Sequence, residues 1–263
     1  AFLLPTNSIS GGLFVLYEHA RMFQKKGHEV LLVFQDSKAA RKITTYPGME
    51  GIPTARLEDL TGSSPDSRPF FDFAIASWWA TAYAIHLIPA RHSAYFVQGW
   101  EEQFYEAPLR GYALFVHKTL EENFYFFTVS AQLKRYLDSI QGRGERAPAT
   151  VIPNAVHPAD YGPDRAAYPR QAWPDQKTKR LRVLVEGPGS QAYKRIEQAF
   201  EVLLEFKDKE EVDVFYVSSE GYRKPNWRID RFFEAVPHAQ MPGIYASCDV
   251  LLKLSSLESF ALP

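Results

Sequence analysis

Cysteine and long apolar runs are scarce in this sequence. Cys248 is the single cysteine among 263 residues, so no internal disulfide can form, as is typical of proteins from a reducing compartment. It stands just before the apolar run Val250–Leu252, and we interpret it as a buried apolar side chain rather than a nucleophile. No apolar stretch approaches the roughly 20 residues of a membrane-spanning helix, and no secretory signal is recognisable. We therefore expect a cytoplasmic protein.

A surplus of charge of either sign is also missing. Thirty Lys and Arg residues face 31 Asp and Glu residues, so the net charge gives no electrostatic reason to expect a nucleic-acid partner. None of the seven histidines lies at metal-ligand spacing from another His or Cys. The acidic pairs Asp208/Glu210 and Glu211/Asp213 do not follow a predicted strand. The sequence therefore predicts no metal site.

The opening of the chain has the pattern strand, glycine loop, helix, strand. Phe2–Leu4 is a short apolar run, and Gly11-Gly12 ends the polar loop after it. Apolar residues then recur at helical spacing from 13 to 23, and 29–34 is rich in β-branched and apolar residues. A strand, helix and strand in this order predict a parallel sheet.

Further strands and a domain junction follow. Segment 36–69, rich in Gly, Pro and Ser, predicts mainly loops, and Ser130 is placed to cap a helix that reaches Leu137. Prolines from 153 to 174 interrupt any periodicity and predict a linker. Strands are predicted over 72–76, 93–97, 127–129, 150–152, 181–185, 212–217 and 249–254, and helices over 194–206 and 241–246.

Two α/β halves result, each opening with a strand, a glycine loop and a helix. We assign 1–154 to an N-terminal Rossmann-like domain, 155–180 to a linker and 181–263 to a C-terminal Rossmann-like domain. In doubly wound sheets, ligands bind beyond the carboxyl ends of the strands. Gly11-Gly12 and Gly187–Gly189 are therefore expected to line a shared cleft.

The end of the chain resembles a known motif. Ser255–Pro263 is similar to the donor-site motif Ser-x-x-Glu-Gly-Phe-Gly-Leu-Pro of the family-4 retaining glycosyltransferases, which have the GT-B fold. Glu258, Phe260, Leu262 and Pro263 match, and Ser259 and Ala261 replace glycines. Three further runs resemble family motifs, in the same order along the chain: Gly27-His28-Glu29-Val30, Val151-Ile152-Pro153-Asn154-Ala155-Val156 and Tyr245-Ala246-Ser247-Cys248-Asp249-Val250.

The resemblance assigns the donor site. Glu258 is expected to accept hydrogen bonds from donor-sugar hydroxyls, with Ser259, Phe260 and Ala261 opening a helix whose backbone N–H groups face the diphosphate or the sugar. Lys194 matches the family's lysine at the leaving diphosphate, so Glu258 and Lys194 are the predicted catalytic residues.

Gly187 belongs to the glycine loop that precedes this lysine. Pro188 stands at the family's usual arginine position, and Arg195 is placed to supply the lost charge. The loop does not continue as a dinucleotide-binding motif, because position 192 is alanine. The nearest strand-end acid, Glu220, lies more than 30 residues on, whereas that motif has it about 20 residues on.

The acceptor side is less complete. Gly11 and Gly12 resemble the family's glycine loop, and the resemblance assigns them to donor binding, with the backbone and helix N-terminus approaching the phosphates or the acceptor. Gln98, Trp100 and Glu101 follow a predicted strand and resemble acceptor-side residues of rhamnosyl- and polysaccharide-building members. The family's histidine after the fourth strand is absent here, where the sequence reads Ala76-Ser77-Trp78-Trp79.

The resemblance implies metal-independent transfer of a hexosyl or deoxyhexosyl unit, with retention, from a nucleotide sugar to a glycan or lipid-linked glycan. The nucleotide sugar is a substrate, and no separate cofactor is expected. A lipid-linked acceptor would place the protein at the inner face of the membrane as a peripheral protein. Two alternatives stay open: a non-catalytic paralogue that binds nucleotides or glycans, and a sugar-nucleotide epimerase.

The motif stops early in this chain. In the family a second glutamate, which holds the ribose, follows three residues beyond the position of Pro263. We therefore expect an incomplete second domain, which would bind the donor poorly if nothing followed it.

Overall fold

The computed structural model describes residues 1–6, 10–36, 51–62, 64–105, 108–140, 148–155, 161, 181–207 and 212–260. The chain divides into two compact units, one of residues 1–155 with 258–263 and one of residues 156–257. Nearly all of the predicted linker 155–180, and Ala261 of the predicted donor site, lie outside the described residues.

The first unit is built on a seven-stranded parallel sheet. Its order is β3-β2-β1-β4-β5-β6-β7, so successive strands run outward in opposite directions from β1, and the switch point lies between β1 and β4. The strands are β1 (Phe2–Leu4), β2 (Leu32–Phe34), β3 (Thr54–Arg56), β4 (Phe71–Ala76), β5 (Ala90–Val97), β6 (Tyr125–Thr128) and β7 (Thr150–Val151).

Helices cover both faces of this sheet. Leu4 packs in one core cluster with Leu16 of the first helix, whereas the neighbouring Leu3 packs in a second cluster with Ile85 and Leu120. Alternate residues of a strand point to opposite faces, so the unit has three layers. The helices are α1 (Gly11–Lys25), α2 (Leu57–Gly62), α3 (Trp79–Ala84), α4 (Gly111–Leu120) and α5 (Ala131–Ser139).

Side-chain caps fix where two of these helices begin. Ser10 Oγ accepts a hydrogen bond from Leu13 N at the start of α1, at 3.2 Å. Ser130 Oγ accepts one from Leu133 N at the start of α5, at 3.3 Å, which confirms the predicted cap. Each serine satisfies a helix N–H that has no partner within the helix.

The second unit repeats the plan with fewer strands. Its parallel sheet has the order β10-β9-β8-β11, with β8 (Leu181–Glu186), β9 (Val212–Ser218), β10 (Arg231–Glu234) and β11 (Val250–Leu252). Helix α6 (Ile196–Lys207) and the short α7 (Met241–Ala246) belong to this unit. Phe200 packs in one core cluster with Val183, and Ile244 packs in the other with Leu184.

Several elements differ from the sequence prediction. Segment 36–69 contains β3 and α2 rather than loops alone, because the edge strand Thr54–Arg56 has no buried residue and gives no apolar pattern. Helix α6 begins at Ile196 rather than at 194, since Arg195 adopts the left-handed conformation with φ of 51°. The sequence also failed to predict α3, α4 and β10.

The end of the described chain differs as well. Ser259 and Phe260 lie in a bend, not in the first turn of a helix. Residues 258–260, assigned from sequence to the second domain, group with the first unit. The physical link is a hydrogen bond from Ser259 Oγ to the backbone carbonyl of Gln98.

Candidate functional site

Three predicted site residues meet at the carboxyl edge of the first sheet. Gln98, just after β5, donates from Nε2 to the carbonyl of Gly12 at the start of α1, at 3.1 Å. Its own carbonyl accepts from Ser259 Oγ. Predicted donor-side and acceptor-side residues therefore share one edge, beside the switch point.

The glycines at this edge have different surroundings. A Cβ on Gly11 would meet nothing within 4 Å, and one on Gly12 would lie 3.6 Å from Gln98 Nε2. A Cβ on Gly99 would lie 3.0 Å from the Phe104 ring. The exposed start of α1 is therefore open to a ligand, whereas Gly99 is needed for packing.

The structure buries Glu101, which the sequence placed at the acceptor. Its carboxylate accepts hydrogen bonds from Tyr95 Oη at 2.7 Å and from Trp79 N at 2.8 Å. Burial is the main cause that raises the pKa of Glu101 to about 8, against the smaller effect of these two donors. Its carboxylate joins β5 to the start of α3, and this geometry favours a structural role over contact with an acceptor.

Glu102, which sequence reasoning passed over, fastens the same loop to two further helices. Its carboxylate contacts His117 Nδ1 of α4 at 2.7 Å and accepts from Tyr136 Oη of α5. Trp100 packs against the Tyr136 ring, with centroids 4.8 Å apart. Two consecutive acids after a strand were the sequence signal for this anchored loop.

The glycine loop of the second unit lies between β8 and α6. Gly187 has a φ of 133°, a conformation that favours glycine. A Cβ there would lie 3.3 Å from Ile196 Cδ1 and 3.6 Å from the methylene groups of Lys194. The glycine thus allows the Lys194 stem to lie close against the backbone.

Lys194 and Arg195 stand together immediately before α6. Lys194 is half-buried, with Nζ 5.3 Å from the centre of the Tyr193 ring. Arg195 is exposed, and its carbonyl accepts from Ala199 N in the first turn of α6. Two cations at a helix N-terminus oppose the helix dipole, so this position favours a bound anion.

The loop after β11 reaches the same place. Ser256 N donates to the Tyr193 carbonyl at 2.9 Å, so the loops after β8 and β11 touch at the switch point of this sheet. Ligands of open α/β sheets bind at such points. The structure therefore brings Gly187, Lys194 and Arg195 together. Glu258 is half-buried and Phe260 exposed, both in the first unit.

Neither a metal cluster nor a membrane span is found in the described part of the chain. Within it, no group of three or more His, Cys, Asp or Glu side chains is arranged to hold a metal ion. None of the described helices combines the length and apolar character needed to cross a bilayer.

Comparison with known proteins gives matches in structure only. No family model and no curated protein matches the sequence. The Anabaena protein HepE, solved with UDP and glucose, is 14% identical with a TM-score of 0.61, over 97% of this chain and 73% of that one.

Two further solved structures agree. An alpha-glucosyltransferase solved with UDP-glucose and DNA containing an abasic site is 13% identical, with a TM-score of 0.57, over 98% of this chain and 72% of that one. The lipopolysaccharide outer core galactosyltransferase WaaB is 12% identical, with a TM-score of 0.55, over 98% of this chain and 74% of that one. At these identities the likeness establishes the fold: this chain has the GT-B fold of these glycosyltransferases.

Proposed function

We propose that this protein transfers a hexosyl or deoxyhexosyl unit from a nucleotide sugar to a glycan acceptor, with retention and without a metal ion. The observation that carries the proposal is the pair Lys194 and Arg195 before α6, in a glycine loop at the switch point of the second sheet. The GT-B fold supports it, and so do the UDP and UDP-glucose in the two neighbour structures.

The leaving group explains why cations are needed. A nucleoside diphosphate gains negative charge as the sugar departs, and fixed positive charge stabilises that state more than the ground state. Lys194 and Arg195 supply this charge together with the N-terminus of α6. The diphosphate oxygens help to deprotonate the acceptor hydroxyl on the same face of the sugar.

Glu258 is proposed to orient the donor sugar by accepting from its hydroxyls, and the backbone N–H groups of Ser259 and Phe260 are proposed donor contacts. Gln98 is the proposed acceptor contact. It lies beside the open start of α1, where Gly11 and Gly12 are proposed to let the backbone approach the donor or the acceptor. Trp100 and Glu101 act indirectly, by shaping the loop that presents Gln98.

The acceptor is proposed to be a glycan, lipid-linked where the protein works at the cytoplasmic face of a membrane. Helix α4 supports this location. Leu114 and Phe115 are 73% and 56% exposed, and Leu109 just before the helix is 53% exposed. Lys118 of this helix pairs with Glu121 at 2.7 Å, so the exposed apolar side chains are the feature suited to a lipid surface.

A donor panel tests the function. The protein is incubated with UDP-, dTDP- and GDP-sugars, with and without oligosaccharide acceptors, and nucleotide release and product mass are followed. Transfer predicts acceptor-dependent release of one nucleoside diphosphate and a glycosylated product. Nucleotide binding without turnover would indicate the non-catalytic paralogue, which Pro188 and the missing histidine after β4 favour. Conversion of the donor without acceptor would indicate an epimerase.

The donor role of Glu258 has its own test. Glu258→Gln keeps the size of the side chain and removes a charged acceptor, so we expect transfer and donor hydrolysis both to fall by more than tenfold. If both survive within a few-fold, Glu258 does not hold the donor.

A further inference from the structure

Glu220 lies at the carboxyl end of β9, the strand next to the glycine loop of the second unit. Its two carboxylate oxygens are both engaged by one residue of that loop. Oε1 accepts from Ser190 N at 2.7 Å, and Oε2 accepts from Ser190 Oγ at 2.8 Å. Hydrogen bonds to a charged group are the stronger kind, so Glu220 fixes Ser190 in both position and orientation.

The loop at Gly189 packs closely against three aromatic side chains. A Cβ on Gly189 would lie 2.8 Å from Tyr222 Cδ1 and 3.0 Å from both Trp227 and Tyr216 Oη. Tyr216 Oη also donates to the Gly187 carbonyl at 3.0 Å. The loop backbone is therefore held from β9 and the segment after it, on the side where Glu220 lies.

Two hydrogen-bonded turns connect Ser190 to Lys194 and Arg195 at the end of the loop. Gln191 N donates to the Pro188 carbonyl at 3.3 Å, and Lys194 N donates to the Gln191 carbonyl at 2.9 Å. Ser256 fixes Tyr193 from the other side. Ser190 and Tyr193 are thus each held by hydrogen bonds with neighbouring loops, and Lys194 follows Tyr193 directly.

We infer that Glu220 is a positioning residue for donor binding: its clamp on Ser190 holds the loop so that Lys194 and Arg195 face the donor diphosphate. The inference rests on the proposed function. Two Ser190 donors stabilise the charged form of the Glu220 carboxylate. Because the Ser190 N–H and O–H donate to Glu220, they are not available to bind a phosphate.

The test compares Glu220→Ala with Glu220→Gln. The alanine variant loses both hydrogen bonds, and we expect the KM for the nucleotide sugar to rise about tenfold or more while the acceptor KM stays unchanged. The glutamine oxygen can still accept from Ser190 N and its amide can donate to Ser190 Oγ, so Glu220→Gln should recover the donor KM to within about threefold.

Glu205→Ala is the matched control, since Glu205 is an exposed carboxylate of the same unit and should leave the donor KM unchanged. Thermal melting shows whether each variant is folded. If Glu220→Ala does not fold, Ser190→Ala takes its place: it removes the hydroxyl bond alone, and a donor KM raised about threefold supports the clamp.

Three results would overturn the inference: an unchanged donor KM in the folded alanine variant or in its Ser190→Ala substitute, a glutamine variant as impaired as alanine, or a defect in acceptor KM instead. A wild-type protein that neither binds UDP, GDP or dTDP in calorimetry nor turns over any nucleotide sugar would refute the proposed function itself. Normal wild-type turnover with unaffected variants would refute only the role of Glu220.

Discussion

The sheets of the two units share the same order around their first strands, β3-β2-β1-β4 in one and β10-β9-β8-β11 in the other. Their carboxyl edges nevertheless differ in chemistry. In the first unit the acids Glu101 and Glu102 contact internal groups of the same unit, and the described start of α1 has Gly11 and Gly12 beside the Gln98 amide. In the second unit the loop after β8 ends in the cations Lys194 and Arg195.

On the proposed function, the same topology serves two different ligands. Strand order and helix N-termini create a binding edge in both units. The side chains of the loops then set the specificity: amide and backbone groups suit the hydroxyls of an acceptor, and cations suit a diphosphate. Substitutions in each unit test this assignment.

The largest effect is expected at Glu101. Because the pKa of its carboxyl is raised from 4.5 to about 8 in the folded state, the folded protein retains a proton that the unfolded chain loses. The stabilisation is complete below pH 4.5, declines as the pH rises, and is lost above pH 8, in total on the order of a few kcal/mol.

Glu101→Gln isolates this effect from other titrations. The amide cannot ionise, so the variant should unfold at higher urea concentration than the wild type at pH 9, and at a similar concentration at pH 5. A constant difference between the two proteins across this pH range would show that Glu101 is ionised in the folded state at all of these pH values.

Lys194 comes next. Lys194→Ala removes fixed charge from the proposed leaving-group site, and we expect kcat/KM for the nucleotide sugar to fall by roughly 10² to 10³. Arg228, an exposed cation of the same unit, provides the control Arg228→Ala, which should retain wild-type kcat/KM. Equal losses in both variants would mean that general surface charge, not the loop, matters.

A pair of glycine changes compares the backbone of the two edges. Gly189→Ala places a Cβ against three aromatic side chains and should lower the free energy of unfolding by about 1–3 kcal/mol. Gly11→Ala has open space and should cost nothing measurable. Urea unfolding of both variants measures this, and equal stability would contradict the tight packing of the second loop.

The smallest effect is expected at Gln98. Gln98→Ala removes the hydrogen bond to the Gly12 carbonyl but keeps the backbone carbonyl that accepts from Ser259. The free energy of unfolding should fall by about 1 kcal/mol, whereas Gln103→Ala, at an exposed position in the same loop, should leave it unchanged. Urea denaturation compares the two, and identical midpoints would show that the Gln98 bond adds no stability.

Much of the fold was predictable because parallel strands buried on both faces are mostly apolar. The runs at Phe2–Leu4, Leu181–Glu186 and Val212–Ser218 were recognised for this reason. The strand Arg231–Glu234 escaped because it is half-exposed with charged ends. Helix α4 escaped because its apolar residues Leu114 and Phe115 point to solvent, which removes the amphipathic period.

The placement of the candidate site residues was predictable only where they lie close together in the sequence. Gly187, Lys194 and Arg195 are close in sequence, and the structure holds them in one loop. Glu101 is a charged residue after a strand, as is common in ligand sites. Its burial depends on hydrogen bonds from Tyr95 and Trp79, which form only in the folded sheet. Glu220 was set aside because its distance along the chain fitted no motif, although β8 and β9 are adjacent.

Crystals of the protein soaked in turn with UDP, GDP and dTDP test whether the loop before α6 binds the donor diphosphate. We predict that one nucleotide orders with its diphosphate against the backbone of Gly187–Arg195 and within hydrogen-bond distance of Lys194 Nζ. A nucleotide bound elsewhere, with this loop free of phosphate, would contradict it.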